Sequence, residues 1–281
     1  MKLNYLLSVL LTVSVLSSYA EEKVKVKYDA YVPSVNSETN VKKTSMTLIS
    51  NGEKSLYFNE TSLLVDSMTS TPEGKKALRE MQMAAWMTQG ADGRLSIDIT
   101  KGNVPKKTVC QYVEKNLGNN ELTEYNKWME EFGFYSEPLA IKWTIGDSTT
   151  TILDYECLMA TAMVHGREWT AWFTPEIPVG DGPWKLFGLP GMILKAQSGR
   201  FGFNATEVGQ TNVAVPSVYS TNEYEKIERT KALSNQEYYE NNRMAVLNAK
   251  FGTVTSSTSS NTGNKKSGKF TKEKHAIEID Y

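Results

Sequence analysis

The stretch from Trp169 to Lys195, WTAWFTPEIPVGDGPWKLFGLPGMILK, constrains the fold more than any other part of the chain. It reads as two strands joined by a rigid loop, in which Gly182-Pro183 and Pro190-Gly191 mark turns, because proline presets φ and glycine accepts positive φ. Loops normally stay polar, since buried loop backbone lacks partners, yet this loop carries several large apolar side chains. We therefore expect it either to fold back onto a core as a structural plug or to cover a cavity as a lid.

Under the lid interpretation the loop contacts an apolar ligand or a partner protein. That interpretation assigns binding to four side chains: Trp172, Trp184, Phe187 and Leu189. Under the plug interpretation the same side chains belong to the core. The sequence leaves both interpretations open.

The sequence around this loop predicts an antiparallel sheet. Strand-like runs follow one another through short connections, which is typical of antiparallel neighbours; they span 139–145, 151–164, 168–173, 192–196 and 201–207. Thr71-Pro72-Glu73 predicts a helix start, and the capping boxes at Ser220 and Ser234 predict helices over 222–231 and 235–250. We expect a mainly β (α+β) fold: a curved antiparallel sheet or half-open barrel with helices packed on one face.

The sequence resembles the GLPGLI family of secreted Bacteroidetes proteins. The family's Gly-Leu-Pro-Gly-Leu-Ile motif stands here as Gly188-Leu189-Pro190-Gly191-Met192-Ile193. Upstream, the family's Gly-Tyr-x-Cys segment is similar to Asp154-Tyr155-Glu156-Cys157, and the arginine before its tryptophan-containing strand is similar to Arg167. Met192 replaces leucine with little change of volume, whereas Asp154 stands where the family pattern has glycine. The resemblance implies export and a shared fold. It does not indicate which activity the chain has, because none is established for the family.

The first residues are typical of a secretory signal peptide. Lys2 precedes an apolar run, and Ser18-Tyr19-Ala20 provides a small-residue cleavage site, so we predict a signal peptide over 1–20. No cysteine follows the site, so there is no lipobox. We expect a periplasmic or extracellular protein with no transmembrane segment in the mature chain.

The remainder divides by composition. We predict a β-rich domain over 21–252 with its core at 139–209, and a flexible Ser/Thr/Gly-rich loop over 253–269, which has too few apolar residues to offset its ordering entropy. Alternation of Ile277, Ile279 and Tyr281 predicts a terminal strand over 270–281. The spacing of Leu122, Tyr125 and Trp128 fits a short helix within 117–132.

Two cysteines, Cys110 and Cys157, remain in a chain predicted to be exported. An even, small number of cysteines in that compartment favours a disulfide, and two separate buried thiols are the alternative. Their spacing does not match a zinc site, and we predict no metal ion and no cofactor.

The chemistry-bearing residues do not form a known catalytic motif. The formal net charge of −1 does not indicate a nucleic-acid partner, and no serine sits in a nucleophile elbow. His165 reads as a turn residue or as a general base with Asp154 or Glu156. We predict no catalytic residues and favour a non-enzymatic envelope protein that binds an apolar ligand or an outer-membrane partner.

Two alternatives stay open. The first is a secreted hydrolase that uses carboxylates such as Asp154, Glu156, Glu176 or Asp181, which would have to converge in one pocket. The second is a structural or assembly factor whose edge strand pairs with another chain.

Overall fold

The computed structural model of the chain describes residues 23–35, 39–89, 94–98, 102–129, 131–138, 140–252 and 269–281. The predicted signal peptide over 1–20 and residues 253–268 of the predicted flexible loop lie outside these ranges, so both stay predictions. Among the described helices, none has the length and apolar character needed to cross a bilayer.

Strands account for most of the regular structure. In chain order they are β1 (Val24–Pro33), β2 (Val41–Ser50), β3 (Lys54–Phe58), β4 (Met87–Gln89), β5 (Leu95–Ile97), β6 (Tyr112–Asn116), β7 (Glu121–Trp128), β8 (Glu131–Pro138), β9 (Thr144–Ile152), β10 (Tyr155–Val164), β11 (Arg167–Thr174), β12 (Met192–Ser198), β13 (Phe201–Gln210) and β14 (Glu225–Lys226). The described α-helices are α1 (Glu60–Thr69), α2 (Pro72–Trp86), α3 (Arg229–Phe251) and α4 (Lys272–His275).

One 12-stranded sheet dominates the fold, in the order β14-β8-β7-β6-β3-β2-β1-β13-β12-β11-β10-β9, and β4 and β5 form a separate pair. All neighbours in the large sheet are antiparallel except β14 and β8, which are parallel. The mainly β prediction is confirmed, but the sheet is mixed and open between β14 and β9 rather than closed into a barrel. That the helices share one face of the sheet stays a prediction; α3 contacts β7 and β8, where Ala232 packs against Trp128 and Tyr135.

The predicted meander is present as β9 to β13, but its first strand is displaced, because β9 runs from Thr144 to Ile152 rather than over 139–145. Two of its hairpins have two-residue turns in which both residues have positive φ, as a type I′ turn requires: Leu153 and Asp154 at 49° and 67°, and His165 and Gly166 at 49° and 80°. Asp154 therefore takes the left-handed conformation for which the family pattern uses glycine, and aspartate tolerates that conformation better than most residues.

The loop between β11 and β12, residues 175–191, places its large apolar side chains inside the protein, and we call this loop the plug. Trp184, Phe187 and Leu189 are 1%, 2% and 3% exposed. Trp184 packs against Phe203 and Trp169, with ring centroids 6.3 Å and 5.6 Å away. The loop thus fills the space under β1 and β10–β13, which favours the plug interpretation over the lid.

Glycine makes the return of the loop into β12 possible. Gly191 has φ of 156°, and a Cβ atom there would lie 2.1 Å from the carbonyl oxygen of Thr174. Gly188 also has positive φ, at 90°, but the nearest atom to its Cβ position is Trp143 Nε1 at 4.0 Å. Gly191 is needed for close approach, whereas Gly188 is needed only for its backbone conformation.

Four predictions are wrong. In the described chain no disulfide joins Cys110 and Cys157, and both are thiols. Cys157 is buried in β10, and six strands separate β10 in the sheet from β6, which Cys110 precedes. Burial raises the pKa of Cys157 to about 11. Residues 121–128 form a strand rather than a helix, because β6 and β8 pair with both of its edges.

The predicted terminal strand over 270–281 is the third. Its first part is the short helix α4, and the residues after it join no sheet. Arg167 bonds to the carbonyl of Ala276, and Ile279 donates one backbone hydrogen bond to His165. Side-chain contacts and one backbone hydrogen bond therefore hold these residues, instead of the repeated backbone hydrogen bonds of a strand. Among the predicted helices, α2 begins at Pro72 with Thr71 as its N-cap, as expected, and α3 covers the one predicted over 235–250. The helix predicted over 222–231 is the fourth wrong prediction, because β14 (Glu225–Lys226) lies within that range and α3 begins only at Arg229.

We expect Gly191→Ala to lower the free energy of unfolding by at least about 3 kcal/mol, because the new methyl group collides with main chain in a strained conformation. Gly188→Ala, with open space around it, should cost about 1–2 kcal/mol. Urea denaturation of both variants measures the difference. Equal losses would show that the close contact at Gly191 does not restrict the fold.

Candidate functional site

The four carboxylates proposed for a hydrolase do not meet. Asp154, Glu156 and Glu176 are exposed, and Glu176 accepts the backbone N–H of Glu156 at 3.0 Å. Asp181 is buried elsewhere, in the plug. The convergence that this alternative requires is therefore absent among these residues.

Asp181 belongs to a buried ion pair with Lys115 of β6, and both side chains are fully buried. The Lys115 ammonium also donates to the carbonyl oxygen of Gly182 at 2.6 Å. Burial lowers the pKa of Lys115, and the Asp181 carboxylate acts against that effect. The pair attaches the plug to the far half of the sheet.

A larger group of charged side chains, which we call the charge cluster, contacts the plug through Lys185. Its members come from six separate parts of the chain: Glu124, Glu137, His165, Lys185, Arg229, Glu278 and Asp280. Lys185, Glu278, Glu124 and His165 are at most 9% exposed. The cluster is therefore largely removed from solvent, where each contact is stronger and each unpaired charge more costly.

Lys185 is the centre of this cluster. Its Nζ lies 2.7 Å from Glu278 Oε1, 2.8 Å from Glu137 Oε1 and 3.3 Å from Glu124 Oε2. It also donates to the Tyr135 hydroxyl at 2.8 Å. Burial alone lowers the pKa of Lys185, but the three carboxylates outweigh burial and hold the pKa above its usual value. Lys185 therefore stays protonated, which argues against a role as an amine nucleophile.

Arg229 and His165 complete the network around the same carboxylates. Arg229 Nε donates to Glu278 Oε2 at 2.7 Å, and the guanidinium also pairs with Asp280. His165 Nδ1 lies 3.3 Å from Asp280 Oδ2, and its Nε2 lies 3.4 Å from Glu137 Oε1. Four carboxylates thus face two permanent cations and one imidazole.

Three cluster residues have the chemistry of metal ligands. Ligand atoms of Glu137, His165 and Glu278 all lie within 4.8 Å of one another. However, Lys185 already occupies an oxygen of each glutamate, and Arg229 takes the second oxygen of Glu278. A divalent cation would have to displace an ammonium group, so the arrangement fits a salt-bridge network better than a metal centre.

The described surface cavities lie away from the charge cluster. One, of about 430 Å³, is lined by Lys142, Thr144, Thr161, Met163 and Glu168 among others. A second, of about 280 Å³, lies over β12 and β13 beside Tyr31. Neither is lined by a cluster residue, so neither gives a substrate access to these carboxylates.

The four side chains predicted to bind a ligand are not brought together. Trp184, Phe187 and Leu189 are in the plug, whereas Trp172 lies on the opposite face of β11 from the buried Ala171 and Phe173. Trp172 is half-buried, and the Lys195 ammonium stands 4.9 Å from its ring centroid. Ligand binding by these residues stays a prediction.

β9 is one of the two outer strands of the sheet, opposite β14, and no described strand pairs with its outer side. Most of its side chains are exposed. Its pairing with β10 shifts near Met159, so that residues 146–148 bulge, and a regular stretch from Thr149 to Ile152 follows. This open edge is the second candidate site.

Comparisons with known proteins do not indicate an activity for this chain. A family model described as "Protein of unknown function (Porph_ging)" matches residues 165–195, which run from His165 through the plug into β12. No curated protein matches the chain. Two solved structures of PNGF-II, in C2 and P21 space groups, are similar at 16% and 17% identity, each with a TM-score of 0.47. The matches cover 76% of this chain and 32% and 33% of those chains, so this chain spans about a third of their length.

The charge cluster makes the free energy of unfolding depend on pH in the acidic range. Burial alone raises the pKa of Glu137, but His165 and Lys185 outweigh it and lower that pKa from 4.5 to about 2. Its contribution is therefore fully present above about pH 5 and is lost as pH falls toward 2. We expect Glu137→Gln to lose about 1–3 kcal/mol at pH 7, allowing for its partial exposure.

The same variant should lose less additional stability than the unaltered chain between pH 5 and pH 2.5, as measured by urea denaturation at each pH. Glu131→Gln, on the same strand but exposed, is the matched control and should follow the unaltered chain. Parallel curves for Glu137→Gln and the unaltered chain would contradict the assignment.

Proposed function

We propose that this chain is a non-enzymatic binding protein of the cell envelope, and that β9 pairs with an extended segment of another protein. The observation that supports this is the open, largely exposed outer edge of β9 at the end of a 12-stranded sheet. Export to the envelope rests on the predicted signal peptide over 1–20. An exposed edge presents unpaired backbone groups that a partner strand can complete.

The hairpin register identifies which backbone groups face outward. Ile152 pairs with Tyr155 across the two-residue turn, and the residues that flank such a turn bond to each other. Because antiparallel pairing alternates from there, Thr150 bonds toward β10, whereas Thr149 and Thr151 direct their N–H and C=O groups to the open side. Two residues therefore offer four backbone groups to a partner.

The composition of this edge indicates what kind of segment fits. Edge strands usually carry lysine or proline, which discourage pairing, and β9 has neither. Its one charged residue is Asp147, within the bulge, and the regular stretch consists of three threonines and an isoleucine. Threonine pairs well with β-branched and hydroxyl side chains across strands, so the proposed partner is a short, uncharged, β-forming segment.

Two other functions considered from the sequence receive less support. An apolar ligand would have to displace the plug, whose aromatic side chains already fill the core. A carboxylate hydrolase would need a reactive carboxylate beside an open cavity. The carboxylates that do converge are paired with Lys185 and Arg229, and the two cavities do not reach them.

A proline at Thr151 tests the proposal. Its N–H faces outward, so Thr151→Pro removes a donor at the open edge and leaves the bonds to β10 in place. We expect a photo-crosslinking residue at exposed Ser148 to give a discrete adduct in intact cells, and Thr151→Pro to abolish it. Mass spectrometry of the adduct should locate the cross-link in an extended partner segment.

Thr151→Val is the matched control, because it changes the side chain and keeps the N–H; it should retain the adduct. Circular dichroism should show the same fold for all three proteins. An adduct that persists unchanged with proline would rule out pairing at this edge.

A further inference from the structure

Residues 276–281, Ala-Ile-Glu-Ile-Asp-Tyr, lie in a slot formed by other parts of the chain; we call them the acidic segment. Arg167 holds its start: Nε and Nη2 donate to the carbonyl of Ala276 at 2.9 Å and 2.6 Å. Nη2 also donates to the carbonyls of Lys272 and Glu273, the first two residues of α4. One arginine thus fixes the direction in which the segment enters.

The middle of the segment is recognised through its backbone. The N–H of Ile279 donates to the carbonyl oxygen of His165 at 2.9 Å. Gly166 leaves room for this contact, because a Cβ atom there would lie 2.7 Å from Ile279 Cγ1. The type I′ turn at His165-Gly166 therefore also forms the surface against which the middle of the acidic segment packs.

The acidic side chains are recognised by the charge cluster. Glu278 is 1% exposed and bonds with both Lys185 and Arg229. Asp280, whose side chain is 40% exposed, pairs with the same Arg229 and faces His165 Nδ1. Residues two apart in an extended chain share a side, so the slot recognises the order acid, aliphatic, acid.

The cationic side of the slot is held in position by contacts other than those to the segment. Arg167 stacks on the Phe201 ring at 4.8 Å, and Lys185 bonds to the Tyr135 hydroxyl and to Glu137. Arg229 lies 3.5 Å from Glu137 as well. A receptor that keeps its geometry without the ligand loses less entropy on binding.

We infer that this slot is a binding site for extended acidic peptides of the pattern acid–aliphatic–acid, with Glu278-Ile279-Asp280 as its ligand in cis. Three of its residues, His165, Arg167 and Lys185, fall within the stretch matched by the family model. A tethered ligand acts at a high effective concentration, of order millimolar, so the cis segment masks the slot against free peptide. Weakening the cis contacts therefore exposes the site.

The test uses the full chain with Glu278→Gln and Asp280→Asn, which keep the shape of both side chains and remove their charge. The probe is a fluorescein-labelled peptide, Ala-Ile-Glu-Ile-Asp-Tyr, followed by fluorescence anisotropy. We expect the double variant to bind it at least about tenfold more tightly than the unaltered chain does. The control peptide Ala-Ile-Gln-Ile-Asn-Tyr should bind neither protein.

If the double variant does not fold, Asp280→Asn alone serves, because Asp280 is partly exposed; it should bind the acidic peptide more tightly than the unaltered chain. Adding Arg167→Ala to the folded variant should weaken peptide binding again. Equal binding of acidic and amide peptides, or no gain in either variant, would overturn the inference.

Discussion

The buried ammonium group of Lys185 is the interaction on which the arrangement of this protein depends. It follows Trp184 in the plug and reaches carboxylates on β7, β8 and the acidic segment. Through Glu278 and Glu137 it is connected to Arg229 at the start of α3. An unpaired buried charge is strongly destabilising, so the carboxylates on these parts of the chain together stabilise the plug.

The plug in turn limits where function can reside. Its aromatic side chains pack in the core under the sheet. Asp181 attaches it to Lys115 of β6, and Lys185 attaches it to β7, β8 and the acidic segment. Among the described residues, side chains of the plug occupy the space where the loop suggested an apolar cavity. What the sheet still offers is backbone at its β9 edge and a charged slot that its own acidic segment occupies. In our two proposals each of these features binds an extended chain, the first by hydrogen bonds and the second by charge.

The sequence predicted the local features of this fold better than its long-range ones. The β9–β13 meander followed from short connections, and the plug was one of two stated outcomes for an apolar Pro/Gly loop. Leu122, Tyr125 and Trp128 suggested a helix because their spacing matches one turn, and pairing with two neighbours overrode it. The charge cluster joins residues from 124 to 280, which no local pattern connects. The one signal was Lys185 itself, a lysine between Trp184 and Leu186 in an apolar loop.

A double-mutant cycle between Lys185 and Glu278 tests the central claim most directly. Lys185→Met and Glu278→Gln are each measured alone and together by urea denaturation at pH 7. Each single change removes one counter-charge from a buried partner that keeps others, Glu137 and Glu124 beside Lys185 and Arg229 beside Glu278, and should cost about 2–4 kcal/mol. The double change should cost at least about 1 kcal/mol less than the sum of the two. Losses that add to within about 0.5 kcal/mol would show that this contact does not organise the structure.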